Sequence, residues 1–344
     1  MSELSSKNWS TQTDKFPPSP YTAEPGYTAL SDWANLVKKI YGYQSYPISV
    51  ENENQITAFA ILTHIKHPIF GSYLTSAPYS SYGGVWFKDL QSAKLLSIEI
   101  EKLTKTLRAN YTMVRFRGDI SPVWDGWAAS TIYQTYRIEL DNHLGLEQYS
   151  PNHRNHVRKA LKKGFAIQIG GAELIEDAFE GLSRSMHELG SPYHSKSYLA
   201  EMCSLMDGKI DLAVVRYGKL VAGAGVFIRH GQEVINLHAN ILRDFRQLYA
   251  GEFFYWSMIE NYRRAGLEYF DLGRSLIGSG NEIFKLKWNP QVESLNYWYY
   301  LPKGGDIPEL NQKSPKFQIA IAVWKRLPQF LVNQIGPHLI NGIA

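Results

Sequence analysis

Residues 269–288 read Tyr269-Phe270-Asp271-Leu272-Gly273-Arg274-Ser275-Leu276-Ile277-Gly278-Ser279-Gly280-Asn281-Glu282-Ile283-Phe284-Lys285-Leu286-Lys287-Trp288. A short apolar run carries one acid, Asp271, and stops at Gly273. Such a run, bounded by glycine, predicts a buried strand that empties into a polar loop. Directly upstream, residues 252–264 have helical spacing and Gly266 ends them, so a helix feeds straight into the strand. A helix joined to a strand in this way predicts a mixed sheet covered by helices.

Working outward, Asp211-Leu212-Ala213-Val214-Val215-Arg216-Tyr217 turns at Gly218-Lys219 into Leu220-Val221-Ala222-Gly223-Ala224-Gly225-Val226-Phe227, which predicts a hairpin. Another strand follows near Val234–Ala239. Before the hairpin come a basic helix over His153–Lys163 and a helix over Leu174–Leu189, stopped by Gly164 and Gly190. The first half repeats this grammar. Ser31 opens a helix, Ile56–Thr63 reads as a strand, and Leu96, Ile100, Leu103 and Leu107 form one helical stripe. Tyr111–Arg117 and Tyr133–Leu140 follow as strands, and Leu295–Tyr300 is expected as the last strand of the second half. The fold class is therefore α/β with mixed sheets, in two successive domains. The expected boundaries are a disordered leader over 1–26, domains over 27–148 and 149–303, and a helical tail over 304–344.

The 344 residues are enough for two domains with real cores. A net charge of +4 leaves little footprint for a dedicated RNA-binding module. Cys203 is the only cysteine, so no intrachain disulfide forms, and its apolar helical surroundings mark a core filler. The leader lacks the apolar core of a secretory signal, and no run reaches the roughly 18 apolar residues of a membrane span. A cytoplasmic location is expected. His153-x-x-His156 lacks a third ligand nearby and sits among arginines and lysines, so no metal is expected.

Four segments carry a family resemblance: Ser76-Ala77-Pro78-Tyr79 leading to Tyr82-Gly83-Gly84; Asn152-His153-Arg154 through Lys163-Gly164; Leu189-Gly190-Ser191-Pro192-Tyr193; and the stretch from Phe270 to Trp288. Together they resemble the FemAB-like transferases, whose members have tandem acetyltransferase-type (GNAT-like) domains. The tail, with Trp324-Lys325-Arg326-Leu327-Pro328 and Gly336-Pro337, is similar to the subgroup associated with PEP-CTERM and exosortase systems, which accompany exopolysaccharide production. The resemblance implies transfer of an acyl or aminoacyl group to an amine or hydroxyl of a cell-envelope or exopolysaccharide precursor. The donor it implies is aminoacyl-tRNA or acyl-coenzyme A, with no permanently bound cofactor. A scaffold that kept the fold and lost its donor site is the alternative.

In that family the lysine after phenylalanine is held to stabilise charge during transfer, and Phe284-Lys285 matches it. The residues alone equally allow a solvated lysine in Lys285-Leu286-Lys287. Lys285 and Asp271 are the expected catalytic residues; Asp271 either caps the glycine loop, pairs with Arg274, or holds Arg274 for an anionic substrate. Tyr79, Tyr82, Tyr193, Arg274, Glu282, Phe284 and Trp288 are the expected substrate-binding residues, in a groove between domains. Gln247 and Gly251 are the expected donor-binding residues. They belong to Gln247-Leu248-Tyr249-Ala250-Gly251-Glu252, which departs from a coenzyme A pyrophosphate loop at Ala250 and Glu252. The basic helix, with Arg154, Arg158, Lys159, Lys162 and Lys163, either contacts tRNA or a lipid-linked pyrophosphate, or is a solvated face. The tail helix from Pro315 through Leu327, restarted at Pro328 and stopped at Gly336-Pro337, either lies on the inner membrane surface or packs on its own domain.

Overall fold

The computed structural model describes residues 26–53, 55–118, 124–140, 145–308 and 315–344. The expected leader lies outside the described residues except for Gly26. In chain order the elements are α1 (Ser31–Tyr41), β1 (Gln44–Asn52), β2 (Gln55–His67), β3 (Gly71–Thr75), β4 (Val85–Phe87), α2 (Leu90–Thr106), β5 (Tyr111–Arg117) and β6 (Ala128–Glu139). Then come α3 (Pro151–Leu161), β7 (Phe165–Gly170), α4 (Ile175–Leu189), α5 (Lys196–Leu205), β8 (Ile210–Tyr217), β9 (Leu220–His230), β10 (Glu233–Ile241), α6 (Arg243–Arg246) and α7 (Ala250–Arg264). The chain closes with β11 (Tyr269–Asp271), β12 (Ser275–Leu276), α8 (Gly280–Leu286), β13 (Gln291–Tyr300), α9 (Pro315–Trp324) and α10 (Gln329–Ile340). These described residues divide into two compact units, one within Met1–Thr135, Glu293–Glu309 and Asn341–Ala344, the other within Tyr136–Val292 and Leu310–Ile340.

The first unit carries strands in the order β1-β2-β3-β5-β13, with β4 paired to β2. The β3–β5 pair is parallel and the β5–β13 pair antiparallel, with Leu295 opposite Arg117. Asp89 caps α2, accepting from the Ser92 N–H at 2.8 Å. Leu96 and Ile100 of the stripe are fully buried in a cluster with Leu62, Leu74, Val114 and Trp298, while Leu103 and Leu107 are partly buried against it. Strand β13 was expected in the second domain. From Glu293 onward it belongs instead to the first unit, where ladder hydrogen bonds to β5 and burial of Leu295, Tyr297 and Tyr299 hold it.

The second unit carries the order β6-β11-β10-β9-β8-β7, with β10 and β11 parallel and the remaining pairs antiparallel. Helices reach both faces of β9 because its residues are small. A Cβ on Gly225 would meet Phe254 of α7 at 2.8 Å, and one on Gly181 of α4 would meet Ala224 at 3.0 Å. Gly190, at φ 86, ends α4 as the sequence predicts. Cys203 is buried in α5.

The tail helices pack on this unit. The Trp324 indole N–H donates to Ser191 O at 3.2 Å, and the His187 ring bonds both Gln329 Oε1 and Trp324 O. Contrary to expectation, Gly336-Pro337 does not stop α10, which runs on to Ile340. Gly336 lies against the Tyr193 backbone, 3.2 Å from Tyr193 O to a would-be Cβ, so tertiary packing carries the helix past the proline. Among the described residues no helix is long and apolar enough to cross a membrane.

Candidate functional site

In the second unit β10 and β11 run side by side for only three residue pairs, Glu233–Tyr269 to Ile235–Asp271. Beyond them β10 bulges between Asn236 and His238 and continues on β9 alone as far as Ile241. A bulge bends its strand and sharpens the twist, so the two parallel strands part. The loop Leu272-Gly273-Arg274 leaves β11 beside this opening. Asn236 ties the sides together, donating from Nδ2 to Leu272 O at 3.3 Å and to the Tyr255 hydroxyl at 3.0 Å. Gly273 has φ +79, and a Cβ there would sit 2.7 Å from Asn236 O. Only glycine satisfies both demands.

Asp271, fully buried, accepts the Gly273 N–H at 2.7 Å and so caps the loop. Lys285 comes from α8 and is only 3% exposed. Its Nζ donates to Gly273 O at 2.6 Å and to Arg274 O at 3.0 Å, and lies 5.4 Å from the centre of the Tyr136 ring. The ammonium is thus held on two carbonyls, with one of its three N–H bonds left over. Burial pushes Lys285 from an ordinary 10.5 down to about 7; Asp271 pulls it upward and Arg274 pushes it further down. Glu282 accepts the Tyr136 hydroxyl at 3.1 Å and the Gly278 N–H, while Ser279 caps α8. Burial, and then Glu282, raise the Tyr136 phenol, which therefore keeps its proton.

Asp271, Arg274, Glu282 and Lys285 are thus drawn around one loop. Arg274 is exposed, and its carbonyl rather than its guanidinium meets Lys285. Phe284 packs over Gly251, 3.3 Å from a would-be Cβ, and against Tyr255 and Trp288. Trp288, expected to bind substrate, is 1% exposed and is a core side chain between Tyr149 and His153. Gln247 is exposed at the end of α6. At the start of α7, Ala250 is fully buried and Glu252 is 7% exposed, 3.9 Å from His156 Nδ1. The His156 ring stacks on Tyr249. A carboxylate in the first turn is favourable to the helix and occupies the end where a phosphate would bind.

Tyr193 joins a second buried group. It lies edge-on to His238 of β10 and His194, and His194 stacks on Tyr198 at 4.1 Å. Tyr193 Oη and His238 Nε2 are buried with no hydrogen-bond partner among the described residues. Burial pushes His238 down to about 4, and burial, then the neighbouring His238, hold His194 well below the ordinary imidazole value, so both imidazoles are neutral. Tyr136, His194 and His238 were missed by sequence reading. Nothing local marks them, since Tyr136 and Glu282 are 146 positions apart.

In the first unit Tyr79 and Tyr82 are both buried. Tyr79, at φ 57, donates to Asn341 O at 2.7 Å, and the Tyr82 hydroxyl accepts from Arg117 at 2.9 Å. On α3, Arg154 and Arg158 pair with Glu147, whereas Lys159 and, just past the helix end, Lys162 and Lys163 are exposed.

The parted parallel strands, the bulge and the helix that opens beside them define a GNAT-type domain, within a tandem GNAT-like α/β fold that ends in two helices. Residues 151–286 match the family described as Acetyltransferase (GNAT) domain. The whole chain is similar in fold to the crystal structure of FemX, with a TM-score of 0.67 and 15% identity over 92% of this chain and 98% of that one. A tandem GNAT protein from the clavulanic acid biosynthesis pathway gives a TM-score of 0.58 and 11% identity, over 84% of this chain and 91% of that one. L-PGS from Bacillus licheniformis gives 0.53 and 9%, over 86% and 92%. No curated protein matches in sequence.

Proposed function

We propose that the chain is an acyl- or aminoacyltransferase whose reaction centre is the Gly273 loop with Lys285. The observation that carries this reading is the buried Lys285 ammonium, seated on two backbone carbonyls with one N–H left to give. When an amine or hydroxyl attacks an acyl carbonyl, the carbonyl oxygen takes up negative charge. A preorganised N–H donor aimed at that oxygen stabilises it by roughly 3 kcal/mol. Asp271 holds the loop that holds Lys285, so it acts as a positioning residue.

The donor we propose is aminoacyl-tRNA rather than acyl-coenzyme A. Glu252 lies in the first turn of α7, where a pyrophosphate would meet its negative charge. Lys159, Lys162 and Lys163 offer an exposed basic edge at the C-terminal end of α3. The acceptor we propose is an amine or hydroxyl of a cell-envelope or exopolysaccharide precursor. The fold likeness to FemX and to L-PGS supports that class.

Native mass spectrometry against charged tRNA and acyl-coenzyme A pools tests the donor. The expected result is a charged-tRNA complex that weakens with salt and is lost in the Lys159→Glu/Lys162→Glu/Lys163→Glu variant. A specific acyl-coenzyme A complex instead would overturn the donor assignment. With neither complex, the non-catalytic scaffold reading, which the departures at Ala250 and Glu252 favour, takes its place.

A further inference from the structure

The second unit carries an apolar surface beside the Gly273 loop that the transfer chemistry does not use. A helix on a protein surface ordinarily turns its apolar side chains inward and its charges to water. Helix α8 does the reverse. Its charged residues are held on the inner side, Glu282 by the Tyr136 hydroxyl at 3.1 Å and Lys285 by Gly273 O at 2.6 Å. Ile283 and Leu286 lie on the outer side, 60% and 44% exposed. Three residues apart, they share one face of the helix.

The chain just before α8 extends this surface. Leu276 and Ile277 are each 47% exposed, and their turn is fastened to the helix: the Ser279 N–H donates to Leu276 O at 3.1 Å and the Gly278 N–H to Glu282. The exposed charges among these aliphatic side chains have one sign. Between residues 272 and 292 the only acid is Glu282, whose carboxylate is taken up by Tyr136 and Gly278. Arg274 and Lys287 are exposed. Aliphatic side chains flanked by cations, with no outward carboxylate, match the surface of an anionic bilayer, where phosphates lie directly above acyl chains.

We propose that this face docks on an anionic membrane surface, with Leu276, Ile277, Ile283 and Leu286 entering the boundary between headgroups and acyl chains while Arg274 and Lys287 meet lipid phosphates. Burial of the four aliphatic side chains supplies the affinity, and the two cations favour an anionic over a neutral surface by about tenfold. Lys285 sits on the other side of the same helix, so docking brings the Gly273 loop next to the bilayer. The docking itself does not depend on the transfer reading.

The test is co-sedimentation of the full chain with vesicles of phosphatidylcholine alone and of phosphatidylcholine mixed with phosphatidylglycerol. Circular dichroism and the melting midpoint establish that each variant is folded. Wild type is expected to partition about tenfold more strongly onto the mixed vesicles, and less so as salt rises. Ile283→Asp/Leu286→Asp is expected to weaken that partition by about tenfold or more. Leu276→Asp/Ile277→Asp, which lies outside the helix and stays informative if the first variant misfolds, is expected to do the same. A nitrobenzoxadiazole fluorophore on Ile277→Cys, in a Cys203→Ala background, is expected to shift to the blue on the mixed vesicles. Absence of wild-type sedimentation on either vesicle overturns the docking surface. Undiminished sedimentation of the folded aspartate variants, or an unshifted fluorophore, overturns its location, and equal partition onto both vesicles overturns the role of the cations. A dimer that the aspartate variants dissolve, with no vesicle binding, assigns the face to a second copy of the chain instead. Sedimentation needs neither donor nor acceptor, so its failure leaves the transfer assignment standing, and a transfer-dead Lys285→Met chain that still sediments leaves the docking surface standing.

Discussion

Replacing Lys285 with methionine removes one ammonium and keeps most of the side-chain volume, which separates charge from packing. The shift from 10.5 to about 7 corresponds to roughly 5 kcal/mol of preference for the neutral amine inside the folded chain. The sign follows from the direction. The unfolded lysine binds a proton below 10.5 and the folded one only below about 7, so this group's contribution to stability is present above 10.5 and is lost as pH falls towards 7. Lys285→Met therefore leaves the chain folded at pH 7, with Gly273 O and Arg274 O losing a donor at about 1 kcal/mol each. Catalysis moves the other way. If the ammonium stabilises the oxyanion, single-turnover transfer at pH 6.5 falls by about 100-fold, the size of one lost donor. The wild-type rate declines about tenfold per pH unit above 7 as the lysine deprotonates, and Lys285→Arg, which stays charged, removes that decline. A Lys285→Met rate within twofold of wild type, or a wild-type rate flat from pH 6 to 9, would refute the assignment.

Further perturbations probe the frame around the site. His153 is buried edge-on against Trp288, and burial, then Lys287 and His156, push its imidazole down to about 4. The unfolded chain takes up this proton first, so stability is expected to fall as pH drops from 6.5 towards 4; a urea midpoint in His153→Phe should lose that dependence, and an unchanged slope would contradict it. Gly84 sits at φ +77 with Ser76 O only 2.1 Å from a would-be Cβ, so Gly84→Ala is expected to destabilise by about 2–4 kcal/mol in urea unfolding. Truncating the buried Trp324 to alanine is expected to cost about 3 kcal/mol, read as a lowered midpoint; an unchanged midpoint would mean that α9 and α10 add nothing to the second unit. Ile319 and Phe330 on these helices are 65% and 63% exposed, and Ile319→Asp/Phe330→Asp is expected to abolish co-sedimentation with anionic vesicles if the tail touches a membrane surface.

Much of the fold is legible locally. The glycine at the end of α4, the Gly218-Lys219 hairpin and the Tyr111–Arg117 strand all depend on neighbours within a few residues, and each forms where the sequence predicts. Strand β1 escaped notice because Gln44–Asn52 is half exposed and contains Pro47, a residue tolerated only where a strand lies at a sheet edge. The family resemblance on Phe270–Trp288 pointed to Lys285, but Lys285-Leu286-Lys287 reads equally as a solvated face.

What the sequence by itself determined is therefore the alternation of helix, strand and turn, and the short motifs that a few adjacent residues encode. Only the tertiary structure decided that Lys285 is buried on the Gly273 loop while Lys287 stays exposed, that Tyr136 faces Glu282, that β13 belongs with β5, and that Arg115 donates to Ala344 O. Each of these joins groups far apart in the chain, and both the desolvation that shifts a pKa and the ladder that seats a strand arise from such non-local neighbours.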